Sequence, residues 1–138
     1  MNVLFFNTIA DHIKKEIFHK CSLNLSQTRI LLFFDDADNH ALTMGELADE
    51  LSISLSTLSR QLQQKKTKEL VTITRSEKNS SKEVKLSEAG LNKVSELKHA
   101  LAEIESSLSS YIDQNELSNF SKELTSLAQK YKSGVDSL

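Results

Sequence analysis

From Leu42 to Leu86 the spacing of apolar residues changes from three-and-four to alternate positions, which predicts two short helices followed by two strands. Thr43 with Glu46 three residues on is a capping box, so a helix begins there, carrying Leu47 and Leu51 on its inner face. Ser54 offers a second N-cap almost at once, which predicts one helix over 43 to 51 and another over 54 to 67. Two helices joined so closely must cross at a large angle, the arrangement of a helix-turn-helix. In the second helix Leu55, Leu58 and Leu62 share one face, which leaves Ser56, Thr57, Ser59, Arg60, Gln61, Gln63 and Gln64 for water or a partner. Val71 to Arg75 alternates as a half-buried strand, Ser76 to Lys82 is turn-like, and Glu83 to Leu86 alternates again, which predicts a hairpin wing.

The flanking segments read as helices throughout. Apolar residues preceding a cap, with another apolar residue at the fourth helical position, recur five times: Leu25-Ser26 with Ile30, Leu42-Thr43 with Leu47, Ile53-Ser54 with Leu58, Leu86-Ser87 with Leu91, and Ile112-Asp113 with Leu117. Glu116 gives Asp113 a capping box as well. Helices are therefore expected over about 2 to 20, 26 to 37, 87 to 111 and 113 to 132. Val94, Leu97, Leu101, Ile104, Leu108 and Tyr111 form one stripe; Leu117, Phe120, Leu124, Leu127 and Tyr131 form another; Phe6, Ile9, Ile13, Ile17 and Phe18 form a third. The expected fold class is mainly α with a small β wing: an N-terminal dimerisation helix (1–25), a winged helix-turn-helix (26–86) and C-terminal dimerisation helices (87–138). Ile13, Ile17, Leu101, Ile104, Leu108, Leu117, Phe120 and Leu124 are the expected dimer seam, the alternative being a bundle within one chain.

Charge sharpens this picture. The whole chain carries -2, yet Ser54 to Leu86 holds eight Lys and Arg against three Glu, a local balance of +5, while Leu31 to Ile53 holds six acids and no Lys or Arg. Positive charge gathered on the second helix and wing is the footprint expected for phosphate. Hydroxyls, amides and an arginine are also the groups that bond phosphates and base edges. No apolar run approaches the roughly 20 residues of a membrane span, and Val3-Leu4-Phe5-Phe6 is too short for a signal-peptide core. The one cysteine rules out an internal disulfide and suits a cytoplasmic setting. Nucleophile elbow, phosphate loop and His-Glu-x-x-His motifs are absent, so no enzyme and no cofactor are expected.

With Leu25-Ser26-Gln27-Thr28-Arg29-Ile30-Leu31-Leu32, the Leu42 to Leu62 stretch, Leu70-Val71-Thr72-Ile73-Thr74-Arg75 and Leu86-Ser87-Glu88-Ala89-Gly90 in view, the chain resembles the MarR family of transcription regulators over essentially its whole length. The resemblance implies a homodimer that places its recognition helices in successive major grooves of a pseudo-palindromic operator in double-stranded DNA. Ser54, Ser56, Thr57, Ser59, Arg60, Gln61, Gln64 and Lys65 then become groove or phosphate contacts, joined by Arg75, Lys78 and Lys82 of the wing. Two features depart from the family: the wing is about three residues short and has neither Asp nor Arg in 76 to 82, and Glu69 replaces the glycine usual before the first wing strand.

A small-molecule effector, also implied by the resemblance, would sit near Phe5, Phe6, Ile9, Phe33 and Phe34, residues that core packing explains equally well. Three further features bear on sensing. Cys21 at the end of the first helix is either an oxidant sensor or an ordinary buried cysteine. His12, Glu16 and His19 have spacings that suit a zinc site or a solvated face. The expected function is a ligand-responsive repressor; the rivals are a winged-helix protein-interaction module and a redox- or zinc-sensing regulator.

Overall fold

Side-chain caps at Asn24, Thr43 and Ser54 mark the starts of three helices, while the helices that begin at Phe5 and Lys65 start without one. The computed structural model describes residues 1–75 and 81–136, the last four of these as backbone only. In chain order the elements are α1 (Phe5–Cys21), α2 (Leu25–Asp36), β1 (Leu42–Thr43), α3 (Met44–Glu50), α4 (Leu55–Gln63), α5 (Lys65–Leu70), β2 (Val71–Arg75), β3 (Lys82–Leu86), α6 (Glu88–Ser109) and α7 (Leu117–Asp136). The fold class is the expected one, mainly helical with a small antiparallel sheet. Thr43 and Glu46 form their capping box, with Thr43 N–H donating to Glu46 Oε1 at 2.9 Å and Glu46 N–H to Thr43 Oγ1 at 3.2 Å. Ser54 accepts the N–H of Thr57 at 3.1 Å, and Ser87 that of Gly90 at 3.1 Å.

Two expected caps fall elsewhere. α2 is capped by Asn24, whose Oδ1 accepts Gln27 N–H at 2.9 Å while Gln27 Oε1 accepts Asn24 N–H at 2.9 Å. Ser26 donates to that same asparagine oxygen and does not cap. Asp113 closes a turn of its own, its Oδ1 accepting Asn115 N–H at 2.8 Å and its carbonyl accepting Glu116 N–H at 2.9 Å, so α7 begins at Leu117.

The helix expected over 54 to 67 breaks at Gln64, whose backbone is extended (φ -62°, ψ 134°). Packing explains the break. Leu58 and Leu62 are buried on one face of α4, but an unbroken helix would carry Thr67 about 140° away from Leu62, and Thr67 and Leu70 are both buried. Restarting the helix at Lys65 turns them inward, and Gln27 Nε2 donates to Thr67 Oγ1 at 3.2 Å to satisfy the buried hydroxyl.

The sheet has the order β1-β3-β2, so a two-residue strand ahead of α3 joins the hairpin, with Leu42 opposite Val84. This third strand is too short to show in the alternation. β3 is central and Val84 is fully buried, whereas its partner Ile73 on edge strand β2 is 42 % exposed, so only Val71 of β2 reaches the core. Phe34, Ile30 and Leu31 of α2, Leu47 of α3, Leu58 and Leu62 of α4, and Val94 and Leu97 of α6 complete the interior.

Gly90 holds the start of α6 against the end of α5. A Cβ there would collide with the carbonyl oxygen of Leu70 and stand 3.2 Å from Leu86 Cβ. The same end of α5 accepts two hydrogen bonds from Ser87: its N–H to Leu70 O at 3.0 Å and its Oγ–H to Glu69 O at 2.7 Å. This junction closes the helix end where glycine was expected and Glu69 stands.

By internal contacts the chain divides into Met1–Leu101 and Ala102–Leu138. In the second unit Phe120, Leu124, Leu127 and Tyr131 recur at helical spacing along α7 and are all exposed. In the first, Phe5, Phe6, Ile9 and Phe18 of α1 are exposed in the same way. Ile17 and Ile104, expected in the dimer seam, are already buried within one chain and present nothing to a partner. Ile13, Leu101, Leu108 and Leu117 are half-buried.

Candidate nucleic-acid interface

The first turn of α4 is held by hydroxyls. Ser54 Oγ accepts the Thr57 amide and donates to Thr57 Oγ1 at 2.8 Å; Ser56 Oγ lies 3.2 Å from Ser54 Oγ; Arg60 Nη2 donates to Thr57 Oγ1 at 3.3 Å. Ser54 and Thr57 therefore spend hydrogen bonds inside the helix, and Thr57 steadies the Arg60 guanidinium on the surface. Ser54, Ser56, Arg60, Gln63, Gln64 and Lys65 are exposed, while Thr57, Ser59 and Gln61 are half-buried. Gln64 and Lys65 stand at the α4–α5 break, one residue apart from helical geometry, with exposed Lys66 and Lys68 following.

Leu55 is misplaced by its spacing. It occupies the first position of α4 and is 54 % exposed, whereas Leu58 and Leu62 are buried. At a helix start no preceding turn lies beneath the side chain, so Leu55 has nothing of its own helix to pack on.

Three pairs lie along one face of the hairpin, buried at its base and exposed toward its tip: Val71 with Leu86, Ile73 with Val84, and Arg75 with Lys82. The last is a directly opposed pair of cations, a cross-strand arrangement that costs stability until an anion screens it. Arg75 and Lys82 are exposed; Lys78 lies outside the described residues.

Two scaffold residues were not anticipated in the roles they take. Arg29 on α2 donates to the carbonyl of Leu51, capping the C-terminus of α3 at the turn. Asn39 pairs with the backbone of Leu86 as a strand residue would, accepting its N–H at 2.7 Å and donating to its carbonyl at 3.3 Å. Both fasten α2 and its following loop to the elements that present α4 and the wing.

The sensing residues are placed less favourably. Phe34 is fully buried and meets Phe33 edge to face at 5.6 Å, while Phe5, Phe6 and Ile9 are exposed on α1. One cavity of about 290 Å³ lies among Ser22, Leu23, Gln27, Lys66, Glu69, Leu70, Ala89 and Lys93, and another of the same volume lies beside Lys14, Phe18, His19 and Leu25. Cys21 is buried, and its thiol donates to Ile17 O at 3.2 Å. Burial raises its pKa, outweighing the lowering by Lys93, so the reactive thiolate is disfavoured. His12 Nε2 lies 3.9 Å from Glu16 Oε1, and among the described residues no three His, Cys, Asp or Glu come together as metal ligands.

The MarR-family sequence profile matches residues 22–80. A comparison with curated proteins found no significant match. Among solved structures, MepR, a transcription regulator of the Staphylococcus aureus multidrug efflux pump MepA, is 19 % identical with a TM-score of 0.71, over 95 % of this chain and 98 % of that one. Wild-type MarR from E. coli in its apo form is 17 % identical with a TM-score of 0.73, over 92 % of this chain and 96 % of that one. A complex of S. aureus MepR with DNA gives 19 % identity and a TM-score of 0.71, over 95 % and 96 % of the two chains. The profile match spans α2 to the first wing strand, and the chain is similar in fold to these solved structures over nearly its whole length.

Proposed function

We propose that this protein is a cytoplasmic, non-catalytic transcriptional regulator that binds a pseudo-palindromic operator as a homodimer and represses by occluding a promoter. The observation that carries this reading is the surface of α4. The second helix of a helix-turn-helix presents Ser56, Arg60 and Gln63 outward, and the lysines of α5 and the opposed Arg75 and Lys82 of the wing follow in the same basic stretch. No helix among the described residues is long and apolar enough to cross a membrane. The exposed apolar stripes of α1 and α7 supply surface for a second copy. An effector is accommodated by the cavity beside Lys66 and Lys93, against α5, where it would bear on the recognition helix through the break at Gln64.

Selection of duplexes from a random DNA pool tests the reading directly. The expected result is an enriched palindrome with half-sites about 10 base pairs apart and an affinity that falls steeply with salt. Salt-insensitive binding, or no enrichment, would instead favour a winged helix that docks on protein.

A further inference from the structure

We propose that Leu55 is a base-reading residue that contacts the methyl group of one thymine per half-site; this rests on the reading of α4 as the recognition helix. Of the large apolar side chains in the described part of residues 26–86, only Leu55 and Ile73 are exposed, and Leu55 is the more exposed at 54 %. The fold does not require a leucine there. The apolar residue ahead of the Ser54 cap is Ile53, the core face of α4 is filled by Leu58 and Leu62, and the residues on either side of Leu55 are exposed serines.

Its position suits a base edge. At about 100° per residue, buried Leu62, then Leu55, Ser59, Ser56 and Arg60 follow one another around α4 at roughly -20°, 0°, 40°, 100° and 140°. One surface thus runs from the rim of the buried leucine stripe, where Leu55 emerges at the first turn, through hydroxyls to the guanidinium. The Leu55 side chain leans past the helix N-terminus, the end that meets base edges when a recognition helix enters the major groove. In that groove the thymine 5-methyl is the apolar mark that separates T·A from the other pairs. The nearby hydroxyls of Ser54 and Thr57 are engaged with each other and with Arg60, so the division of labour is apolar reading by Leu55 and polar reading by Arg60.

Replacing thymine by deoxyuridine, one position at a time in the selected operator, removes the methyl and nothing else. The intact protein is expected to lose affinity about fourfold per half-site at one position, the value of one buried methyl. Leu55→Ala is expected to bind the thymine and uridine operators equally, with an unchanged melting temperature, since the side chain is exposed. Discrimination that persists in the variant, or no uridine effect at any position on a duplex that binds, overturns the role of Leu55 and leaves the regulator standing. Failure to enrich any duplex overturns both.

Discussion

The winged helix and the terminal helices treat the same kinds of residue in opposite ways. Phe34, Leu47, Leu58 and Val84 are 0 % exposed, while Phe5, Phe18, Phe120 and Leu124 stand 61, 57, 47 and 45 % open to water. The first set is buried by one chain alone. The second is only partly covered by its own chain, so the winged helix is self-sufficient while the terminal helices keep an apolar face open to water. Local backbone chemistry follows the same division: the lobe is fastened by the Thr43–Glu46 box, the Arg29 cap and the Ser87–Gly90 junction.

The largest expected effect comes from breaking the open face of the terminal helices. Phe120→Glu with Leu124→Glu places two charges on the α7 stripe, where burial against a second copy would strip their hydration. We expect monomers by sedimentation and operator affinity lower by at least about 100-fold, since the second half-site is no longer tethered. A variant that sediments as a dimer would move the interface off α7. Gly90→Ala attacks the self-sufficient side instead. Helix propensity alone favours alanine by about 1 kcal/mol, but the added Cβ meets the Leu70 carbonyl, backbone that cannot swing aside. Overpacking of this kind costs roughly 1–3 kcal/mol, so a net destabilisation of up to about 2 kcal/mol in denaturant titration is expected; a more stable variant would show that the junction gives way.

Arg60→Ala leaves both regions folded and removes a polar reader. Discrimination at one base pair per half-site is expected to relax, by about 1–3 kcal/mol per lost base contact, measured by titrating single-substituted operators. Thr57→Val should weaken the same discrimination less, because it releases the guanidinium and the Ser54 hydroxyl from the Thr57 oxygen but keeps the arginine.

The helix-turn-helix was legible because its boundaries are written in adjacent residues: Thr43 with Glu46, Ser54 with Thr57, and Ser87 with Gly90 all act across three positions. What escaped the pattern depends on distant partners. The break at Gln64 is set by the need to bury Thr67 beneath Gln27, forty residues away. β1 is two residues long and exists through Val84, and the exposure of Ile73 follows from its place on an edge strand. Leu55 fitted the apolar period of α4 but sits at its first position, where the period carries no information about burial. Ser26 was expected at the cap that Asn24 holds, because both are good caps and sequence alone does not choose between neighbours.

Acid should loosen the lobe at one identifiable point. The Thr43 amide and hydroxyl hold the Glu46 carboxyl below its usual range. A lowered folded pKa gives stability that is present above the ordinary carboxylate pKa and lost as pH falls through the folded value. Denaturation midpoints measured from about pH 6 down to pH 3 should therefore fall less in Glu46→Gln than in the parent. Parallel curves would mean that the box contributes nothing to the acid limb.

The smallest effect tests whether the two regions are energetically separate. No described glycine has a positive φ, and the turn between α3 and α4 is made by Ser52 at φ 56°. Ser52 N–H donates to Asp49 O at 3.1 Å and Ile53 N–H to Ala48 O at 3.0 Å, the pair of bonds that closes a helix through a left-handed residue. A side chain in that conformation costs about 1–2 kcal/mol, and glycine would lose roughly 0.5–1 kcal/mol of chain entropy in exchange. Ser52→Gly should therefore stabilise the lobe by about 0.5 kcal/mol, a rise of a few degrees in melting temperature. Because the change is confined to the turn, the dimer dissociation constant should not move. If it does, the turn and the terminal helices share one equilibrium, and the lobe is less independent than its buried core suggests.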